Sequence, residues 1–387
     1  MRDMKQGWES HKFADVFDLQ MGKTPSRDDS SYWNGDNVWV SIADLNDKKY
    51  ISESKEGITD KAVKESGIKI VPKNTVIMSF KLSIGKTAIT TTPLFTNEAI
   101  MAFIEKEKDI LIPEYIYYYL KGYKWAGANK AVLGMTLNKK SISEQIFSYP
   151  PLPEQEKIVS ELDCLSGIIE KKHRQLKELD ALAQSIFYEM FGDPVENEKG
   201  WECMLLKDVC DKIGDGLHGT PQYDENGLIP FINGTNLENG RIRITDRTQY
   251  VNEIEAQKFH IEMNDSTVLL SINGTLGKTA LYKGENVILG KSVCYCNLKE
   301  MILTTFVMAL MQTTAFKQFL EDNSSKSTIK NVGLKAIRGF GIILPPLPLQ
   351  QTFASKIEAI EKQKALIKQS LGEVETLFNS RMDFYFN

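Results

Sequence analysis

A Gly-Lys-Thr tripeptide occurs twice in the 387-residue chain, at residues 85–87 and 277–279, and it could bind phosphate within a glycine-rich loop. A phosphate loop needs a further glycine five residues before the glycine that precedes the lysine, because its backbone N–H groups must surround the phosphates. Phe80 and Ile272 occupy those two positions. We therefore predict that each tripeptide is a lysine-bearing turn between two strands and not a nucleotide site.

Other residue types with catalytic potential also lack the pattern that their chemistry requires. No Gly-x-Gly-x-x-Gly dinucleotide fingerprint is present, and both Pro-Pro pairs, at 150–151 and 345–346, are followed by leucine. Adenine methyltransferases use Asn/Asp-Pro-Pro-Tyr/Phe around the target base, so these pairs are predicted instead to end a strand and begin a helix. A loose nuclease-like pattern of acidic residues and a lysine at 193–199 lies in a linker flanked by proline and glycine.

Metal-ligand spacing is missing as well. Cys294 and Cys296 alternate on a predicted strand with no second Cys/His pair nearby, so we predict that they belong to a core. The four histidines, which show no ligand spacing, are His11, His173, His218 and His260. These absences indicate a recognition or scaffold protein, although a fused enzyme with a cryptic site is a further alternative.

Composition bounds the class of protein. Lys and Arg number 47 against 51 Asp and Glu, a net charge of −4, which excludes a uniformly basic nucleic-acid coat. The five cysteines form no disulfide framework. The N-terminus has no apolar signal segment, and the longest apolar stretch, residues 301–316, is too short to span a membrane. We expect a cytoplasmic protein without membrane contact.

The chain contains an internal repeat with an offset of 192 to 195 residues. Matching segments occur in the same order in both halves, and a constant offset over several matches indicates tandem duplication. The matches are Trp8-Glu9 with Trp201-Glu202, Asp15-Val16 with Asp208-Val209, 76–79 with 268–271, the two Gly-Lys-Thr segments, and 150–155 with 345–350.

The second part of each repeat carries a heptad pattern that predicts a long helix. Apolar residues recur at alternating spacings of four and three over more than three heptads, which is typical of a coiled coil. The seam positions of the first helix are Ile158, Leu162, Leu165, Ile169, Lys172, Leu176, Leu179, Ala183, Ile186 and Met190. Those of the second helix are Phe353, Ile357, Ile360, Lys364, Ile367, Leu371, Val374 and Phe378. The alternative is two amphipathic helices that each pack only on their own domain.

The first part of each repeat mixes short β-type runs with turn residues, which predicts an α+β domain. One short helix is expected at 114–121, after Pro113, with a counterpart at 304–320. We predict domains at 1–150 and 193–345, and spacer helices at 151–192 and 346–387. The expected fold is two globular α+β domains related by a pseudo-two-fold axis and joined by an antiparallel coiled coil of two long helices.

Three loops in each repeat mix basic side chains with Ser, Thr, Asn and Gln, the residue types that bind DNA phosphates and base edges. The candidate DNA-binding residues in these loops are Lys23, Thr24, Arg27, Lys81, Lys86, Lys130, Asn138, Lys139, His218, Gln222, Asn273, Lys278, Lys326, Lys330, Asn331 and Arg338. The same composition is typical of solvated turns. The loops differ between the repeats while the framework motifs agree, which favours recognition of two different half-sites.

These motifs carry a family likeness. Two repeats that each open with Trp-Glu and Asp-Val, and close with Pro-Pro-Leu-Pro-x-Gln before a long heptad helix, resemble the specificity (S) subunit of type I restriction–modification systems. The likeness spans essentially the whole chain, and its most specific element is Pro-Leu-Pro-Glu-Gln at 151–155. The second copy departs from it because Leu349 replaces the acidic residue, from which we expect a weaker capping contact there.

The resemblance implies a non-catalytic subunit with two target recognition domains, each reading one half of a bipartite site in double-stranded DNA. The helices would fix the unread spacer and dock two adenine methyltransferase (M) subunits, and a restriction/translocase (R) subunit would join for cleavage. S-adenosylmethionine and ATP would bind the partners, and no cofactor would bind this chain. The alternative from another class is a duplicated coiled-coil scaffold that joins protein partners without contacting DNA.

Overall fold

The computed structural model describes residues 7–46, 48–81, 83–125 and 137–387. The chain divides into two compact units, each of which is described by itself. The first comprises Met1–Lys171 with Ser370–Asn387, and the second comprises Lys172–Gln369. Each unit therefore holds one mixed α/β domain together with the beginning of one long helix and the end of the other.

The first unit is built on short strands, most of which pair antiparallel. Its strands are β1 (Glu9–Lys12), β2 (Phe17–Met21), β3 (Trp33–Val40), β4 (Tyr50–Ile51), β5 (Glu56–Ile58), β6 (Val76–Ser79), β7 (Thr87–Thr90), β8 (Phe95–Thr96), β9 (Ile100–Glu105) and β10 (Ile146–Tyr149). They form sheets of order β2-β9-β6-β7-β4 and β5-β3-β8, and β1 pairs with β10. The pairs β3·β8 and β4·β7 are parallel.

The helices of this unit lie between those strands. They are α1 (Phe13–Val16), a 3-10 turn (Ser30–Tyr32), α2 (Asp60–Ser66), α3 (Pro113–Gly122), α4 (Lys139–Ser143) and the long α5 (Leu152–Phe191), which continues into the second unit. Helix α3 has proline in its first turn and buries an aromatic face. The short helix predicted at 114–121 is thus confirmed.

The second unit repeats this arrangement. Its strands are β11 (Glu202–Leu205), β12 (Cys210–Asp215), β13 (Ile229–Ile232), β14 (Leu237–Glu238), β15 (Arg241–Ile242), β16 (Gln249–Val251), β17 (Thr267–Ser271), β18 (Thr279–Leu281), β19 (Ile288–Leu289), β20 (Val293–Leu298) and β21 (Gly341–Leu344). The sheet orders are β12-β20-β17-β18, β16-β13-β19, β14-β15 and β11-β21. Cys294 and Cys296 on β20 are fully buried, as predicted.

Helices of the second unit differ from the prediction in one place. They are a 3-10 turn (Gly234–Asn236), α6 (Glu253–Lys258), α7 (Thr304–Met311), α8 (Thr314–Asp322), α9 (Leu334–Arg338) and α10 (Leu347–Phe386). The single helix predicted at 304–320 is wrong, because Thr313 interrupts it. The Thr313 hydroxyl accepts from Phe316 N at 3.2 Å and donates to Leu310 O at 2.7 Å, which ends α7 and caps α8.

A buried glutamine anchors the start of each long helix. Gln155 Oε1 accepts from Ile112 N at 3.0 Å, and its Nε2 donates to the Ile110 and Pro150 carbonyls, both at 2.9 Å. The side chain is inaccessible to solvent. It therefore satisfies three backbone groups that would otherwise be buried without partners.

Gln350 makes the equivalent contacts in the second unit. Its Oε1 accepts from Leu303 N at 2.8 Å, and its Nε2 donates to Pro345 O at 2.8 Å and Met301 O at 3.3 Å. The glutamine of Pro-Pro-Leu-Pro-x-Gln thus has one role in both repeats. That role is to join the helix to the loop before α3 or α7.

The residue before the glutamine is Glu154 in the first repeat and Leu349 in the second, and the two tryptophan contacts differ accordingly. Glu154 Oε1 accepts from the Trp8 indole N–H at 3.3 Å. Leu349 cannot accept, and the indole N–H of Trp201, the repeat counterpart of Trp8, donates instead to Phe191 O at 2.8 Å. The tryptophan of the second repeat is therefore satisfied by the end of α5.

The final turns of the long helices are buried in domain cores. In the second unit, Phe187 and Phe191 of α5 pack on Phe306, with ring centroids 5.6 and 4.8 Å away. In the first unit, Phe386 of α10 packs on Tyr115 and Tyr119, with centroids 5.7 and 5.6 Å away.

The predicted heptad does not account for all of this burial. Continued to the end of α5, it places Ile186 and Met190 on the seam, but these are only partly buried, whereas Phe187 and Phe191 are fully buried. The last turns of α5 pack against an α/β domain as well as against a helix. The apolar core of that domain therefore also buries the face of α5 that lies next to the heptad seam.

The two long helices contact each other in both units. In the first unit, Glu161 of α5 accepts from the Tyr385 hydroxyl at 2.5 Å and from Arg381, both on α10. The hydrogen bond from Tyr385, and to a smaller extent the one from Arg381, lowers the pKa of Glu161. In the second unit, Lys364 Nζ lies 2.7 Å from Asp180 Oδ1. From the first contact to the second, the position advances along α5 from Glu161 to Asp180 and goes back along α10 from Arg381 to Lys364, so the helices pair antiparallel.

Seam residues of the predicted coiled coil are buried to different degrees. The buried ones are Ile158, Leu162, Leu165, Phe353, Ile360 and Leu371, and the half-buried ones are Ile169, Leu176, Leu179, Ile357, Ile367 and Val374.

Along the described part of the chain, no helix combines the length and apolar character needed to cross a bilayer.

We predict that Gln155→Leu lowers the free energy of unfolding by about 2–4 kcal/mol, because the substitution leaves three buried backbone groups without partners. Urea denaturation measures the change. The control is Gln351→Leu at an exposed position of α10, expected to change stability by about 0.5 kcal/mol or less. Equal effects of the two substitutions would contradict the anchoring role.

We predict that Phe386→Ala destabilises the protein by about 3–5 kcal/mol, since the ring fills the core around Tyr115 and Tyr119. Phe384→Ala is the matched control, because that ring lies two residues away on the same helix and is 60% exposed. Thermal unfolding of both variants tests the difference. A Tm for Phe386→Ala as high as that of the control would show that the end of α10 does not hold the first domain.

Candidate nucleic-acid interface

The Gly-Lys-Thr segments are hairpin turns, as predicted. In the first unit, Gly85 N donates to Ser79 O at 2.9 Å and Lys86 N donates to Ser79 Oγ at 3.1 Å. Gly85 has φ +90°, a conformation that glycine adopts without strain. The amide groups that a phosphate loop would present are thus used inside the turn.

The second unit forms the same hairpin. Gly277 N donates to Ser271 O at 3.0 Å, and Lys278 N donates to Ser271 Oγ at 2.8 Å. Both serines are fully buried. Each turn therefore joins two strands, β6 to β7 or β17 to β18, and presents a lysine.

A polar cleft of about 440 Å³ lies beside the second of these hairpins. Residues just after β17 form one side, and the segment before α9 forms another. Asn273 and Asn331 face each other in an antiparallel bridge, and Val332 N donates to Ile272 O at 2.9 Å. Two segments far apart in the sequence are thereby held together.

Charged side chains from two further segments complete the cleft. His218, in the loop after β12, has its Nε2 2.6 Å from Oδ2 of Asp215, the last residue of that strand. Lys291 lies in the turn between β19 and β20. Together with the amides of Asn273 and Asn331, the cleft offers cationic, donor and acceptor groups. This combination suits the phosphates and base edges of DNA.

The cleft brings together three of the candidates identified from sequence, His218, Asn273 and Asn331, and two residues that sequence reasoning missed. The missed residues are Asp215 and Lys291. A signal for Lys291 existed, because Gly290 and Lys291 separate the two β-type runs that became β19 and β20. Such a short connection between strands predicts a turn that presents its central side chains.

Several other candidates are engaged within the first domain. Lys23 Nζ donates to Ser66 O at 2.5 Å. Arg27 binds both carboxylate oxygens of Glu56, at 2.6 and 2.9 Å, and its guanidinium lies 3.7 Å from the Trp33 ring centroid. The hydrogen bond from Arg27 lowers the pKa of Glu56. These cations stabilise loops, and their charge is already partly compensated.

Similar contacts occupy candidates elsewhere. Lys330 forms an ion pair with Glu321, and Arg338 Nη2 donates to Ile213 O at 2.8 Å. Asn138 caps α4 by accepting a hydrogen bond from a backbone N–H of the first turn. These three residues therefore also have a structural role.

The remaining candidates are more open to solvent. Exposed positions are Lys86, Lys139, Gln222 and Lys326, and half-buried ones are Thr24, Lys81 and Lys278. Lys130 lies outside the described residues. Within the described ranges, no group of three or more His, Cys, Asp or Glu residues is placed to hold a metal ion.

Comparisons with known proteins agree with a duplicated recognition domain. The family described as type I restriction modification DNA specificity domain matches residues 5–181 and again 198–376. The chain is similar to the type I restriction enzyme MjaIX specificity subunit of Methanocaldococcus jannaschii, at 27% identity over 91% of this chain and 86% of the relative. It is also similar to the EcoBI specificity subunit of Escherichia coli, at 20% identity over 74% and 68%.

Two solved structures share the fold. One, from work on complex assembly and conformational transition of the type I R-M system, has a TM-score of 0.61 and 17% identity over 100% of this chain and 99% of that chain. The other, the S subunit from M. genitalium, has a TM-score of 0.54 and 14% identity over 99% and 96%. Because the two matched ranges span most of the sequence, this chain belongs to the specificity subunits of type I restriction–modification systems and carries the DNA specificity domain twice.

Proposed function

We propose that each α/β domain of this specificity subunit reads one half of a bipartite site in double-stranded DNA. The observation that carries the proposal is a common framework with different surface side chains. Gln155 and Gln350 make the same contacts, and the hairpins at Lys86 and Lys278 have the same hydrogen bonds. Loops around that framework differ in sequence, which suits two unlike half-sites.

We further propose that α5 and α10 set the spacing between the half-sites and provide the docking surface for two adenine methyltransferase subunits. A restriction/translocase subunit would join the same complex for cleavage. S-adenosylmethionine and ATP would be bound by those partners, so this chain would be a non-catalytic, cytoplasmic subunit without a cofactor. The scaffold alternative, without DNA contact, is not favoured because the matched family is a DNA specificity domain.

Charge supports a division of DNA binding between subunits. Residues 1–150 carry 21 basic and 19 acidic side chains, and residues 193–345 carry 16 and 19. Nonspecific affinity for DNA depends on the number of phosphates that cations neutralise. A nearly neutral chain that uses several of its cations internally therefore needs partners to supply positive surface.

The first test maps methylated adenines in DNA from cells with and without this chain. We expect a two-part motif that disappears on deletion and returns with the wild-type chain.

In gel-shift assays, the chain with its methyltransferase partner should prefer that motif, and the chain alone should bind DNA more weakly. A complex that binds random duplex as tightly as any sequence would refute DNA recognition.

The second test removes one heptad from both long helices, residues 169–175 and 369–375. The antiparallel contacts on either side keep their register, and each helix shortens by about 10 Å, roughly three base pairs of B-DNA. We expect a modified motif with a shorter spacer and unchanged half-sites. Removing residues 169–175 alone is the control and should abolish assembly. Full activity with an unchanged spacer in the double deletion would contradict the spacing role.

A further inference from the structure

The two domains carry opposite charges at one structurally equivalent position. That position is the second residue of the turn that joins β8 to β9 in the first domain and β19 to β20 in the second. It is Glu98 in the first and Lys291 in the second, and both are exposed. Ile100 N donates to Asn97 O at 3.2 Å, and Val293 N donates to Gly290 O at 2.9 Å, so the turns have the same type of closure.

Hydrogen bonds around the turns fix the correspondence. The residue before each charged side chain donates to the strand that pairs with β8 or β19. The residue after it accepts from the residue that directly follows β6 or β17. These bonds are Asn97 N to Val40 O (3.0 Å) with Gly290 N to Ile232 O (2.8 Å), and Phe80 N to Ala99 O (3.0 Å) with Ile272 N to Ser292 O (3.0 Å).

The loop that follows β2 in the first domain and β12 in the second donates a hydrogen bond to the last residue of β8 or β19, just before the turn. Lys23 N donates to Thr96 O at 2.8 Å, and Leu217 N donates to Leu289 O at 2.7 Å. The next residues along the chain are Thr24 and His218. Equivalent backbone contacts thus place Thr24 near Glu98 and His218 near Lys291.

The side chains at these places differ in what they can bind. The Thr24 hydroxyl donates to Glu98 Oε2, which orients the carboxylate and leaves its second oxygen to accept from another molecule. Lys291 lies in the cleft with His218 and can only donate. One domain therefore presents an acceptor where the other presents a donor.

The major groove of DNA distinguishes these two cases. A carboxylate accepts from the N4 amino group of cytosine and is repelled by phosphate, whereas lysine donates to O6 and N7 of guanine. An exposed carboxylate on a DNA-facing surface is thus matched to a base edge and not to the backbone. The opposite charges predict contacts to opposite members of a G·C pair.

We propose that this turn position determines specificity in both domains. Glu98 accepts from a cytosine in the half-site read by the first domain, and Lys291 donates to a guanine in the half-site read by the second. Thr24 acts as a positioning residue for Glu98. The inference rests on the proposed function, and it adds which residue reads which kind of base edge.

Charge reversal in the full-length chain tests it, with the partner methyltransferase present and methylated adenines mapped in cellular DNA. Glu98→Lys should replace a cytosine by a guanine at one position of one half-site. Lys291→Glu should replace a guanine by a cytosine at one position of the other. Preference for the new base over the original should be on the order of tenfold.

Matched controls lie in the same domains away from the turn. Glu53→Lys and Lys283→Glu make the same charge changes at exposed positions. Both controls should leave the whole motif unchanged. Thr24→Val should lower discrimination at the base read by Glu98 without altering the other half-site.

Glutamine variants keep the proposal falsifiable if charge reversal abolishes modification. Glutamine offers both a donor and an acceptor, so Glu98→Gln and Lys291→Gln should each relax one base position. Unchanged motifs in all four variants, or changes by Glu98 and Lys291 variants in the same half-site, would overturn the inference while the proposed function stands. Persistence of the wild-type motif after deletion of the whole chain would instead refute the proposed function.

Discussion

The buried glutamine at the start of each long helix is the contact on which the rest of the structure depends. Gln155 and Gln350 are inaccessible to solvent, and each joins a helix start to the loop that leads into α3 or α7. A buried amide is stable only when its donors and acceptors are paired. Each side chain meets that requirement with backbone groups of the loop and of the segment just before the helix.

Burial at both ends makes the long helices integral parts of the domains. Helix α5 begins in the core of the first unit, through Ile158 and Leu162, and ends in the core of the second, through Phe187 and Phe191. Helix α10 runs the other way, from Phe353 to its last turns. The stability of each domain therefore includes residues from both repeats. In the helix pair, polar contacts such as Asp180 with Lys364 add to the apolar seam.

The contacts that hold the fold and the side chains exposed on the loops are different sets of groups. Backbone hydrogen bonds and apolar cores are shared by the two repeats, whereas many exposed side chains of the loops differ. Glu98 and Lys291 illustrate this separation, because the same turn geometry carries opposite charges. A turn held by backbone atoms tolerates any side chain that points into solvent. Duplication followed by change at such positions yields two domains of one fold with different exposed side chains.

Local patterns in the sequence predicted much of the fold. The heptads and Pro-Pro-Leu-Pro segments predicted the two long helices, Pro113 and the following aromatic residues predicted α3, and the missing glycine at Phe80 predicted a hairpin at Gly-Lys-Thr. These features depend on residues close together in the chain. The break between α7 and α8 was missed because it depends on the hydroxyl of Thr313, which apolar periodicity does not register.

The sequence by itself determined the duplication, the helix pair and the absence of recognisable catalytic motifs, because repeats and periodicity are properties of residue order. Only the tertiary structure decided which polar residues meet. His218, Asn273, Lys291 and Asn331 come from separate segments, and strand pairing brings them to one cleft. It also decided that Arg27 and Arg338 bond within the chain. The identity of a charged residue in the sequence does not show whether its side chain faces solvent or a carboxylate, because long-range packing determines its contacts.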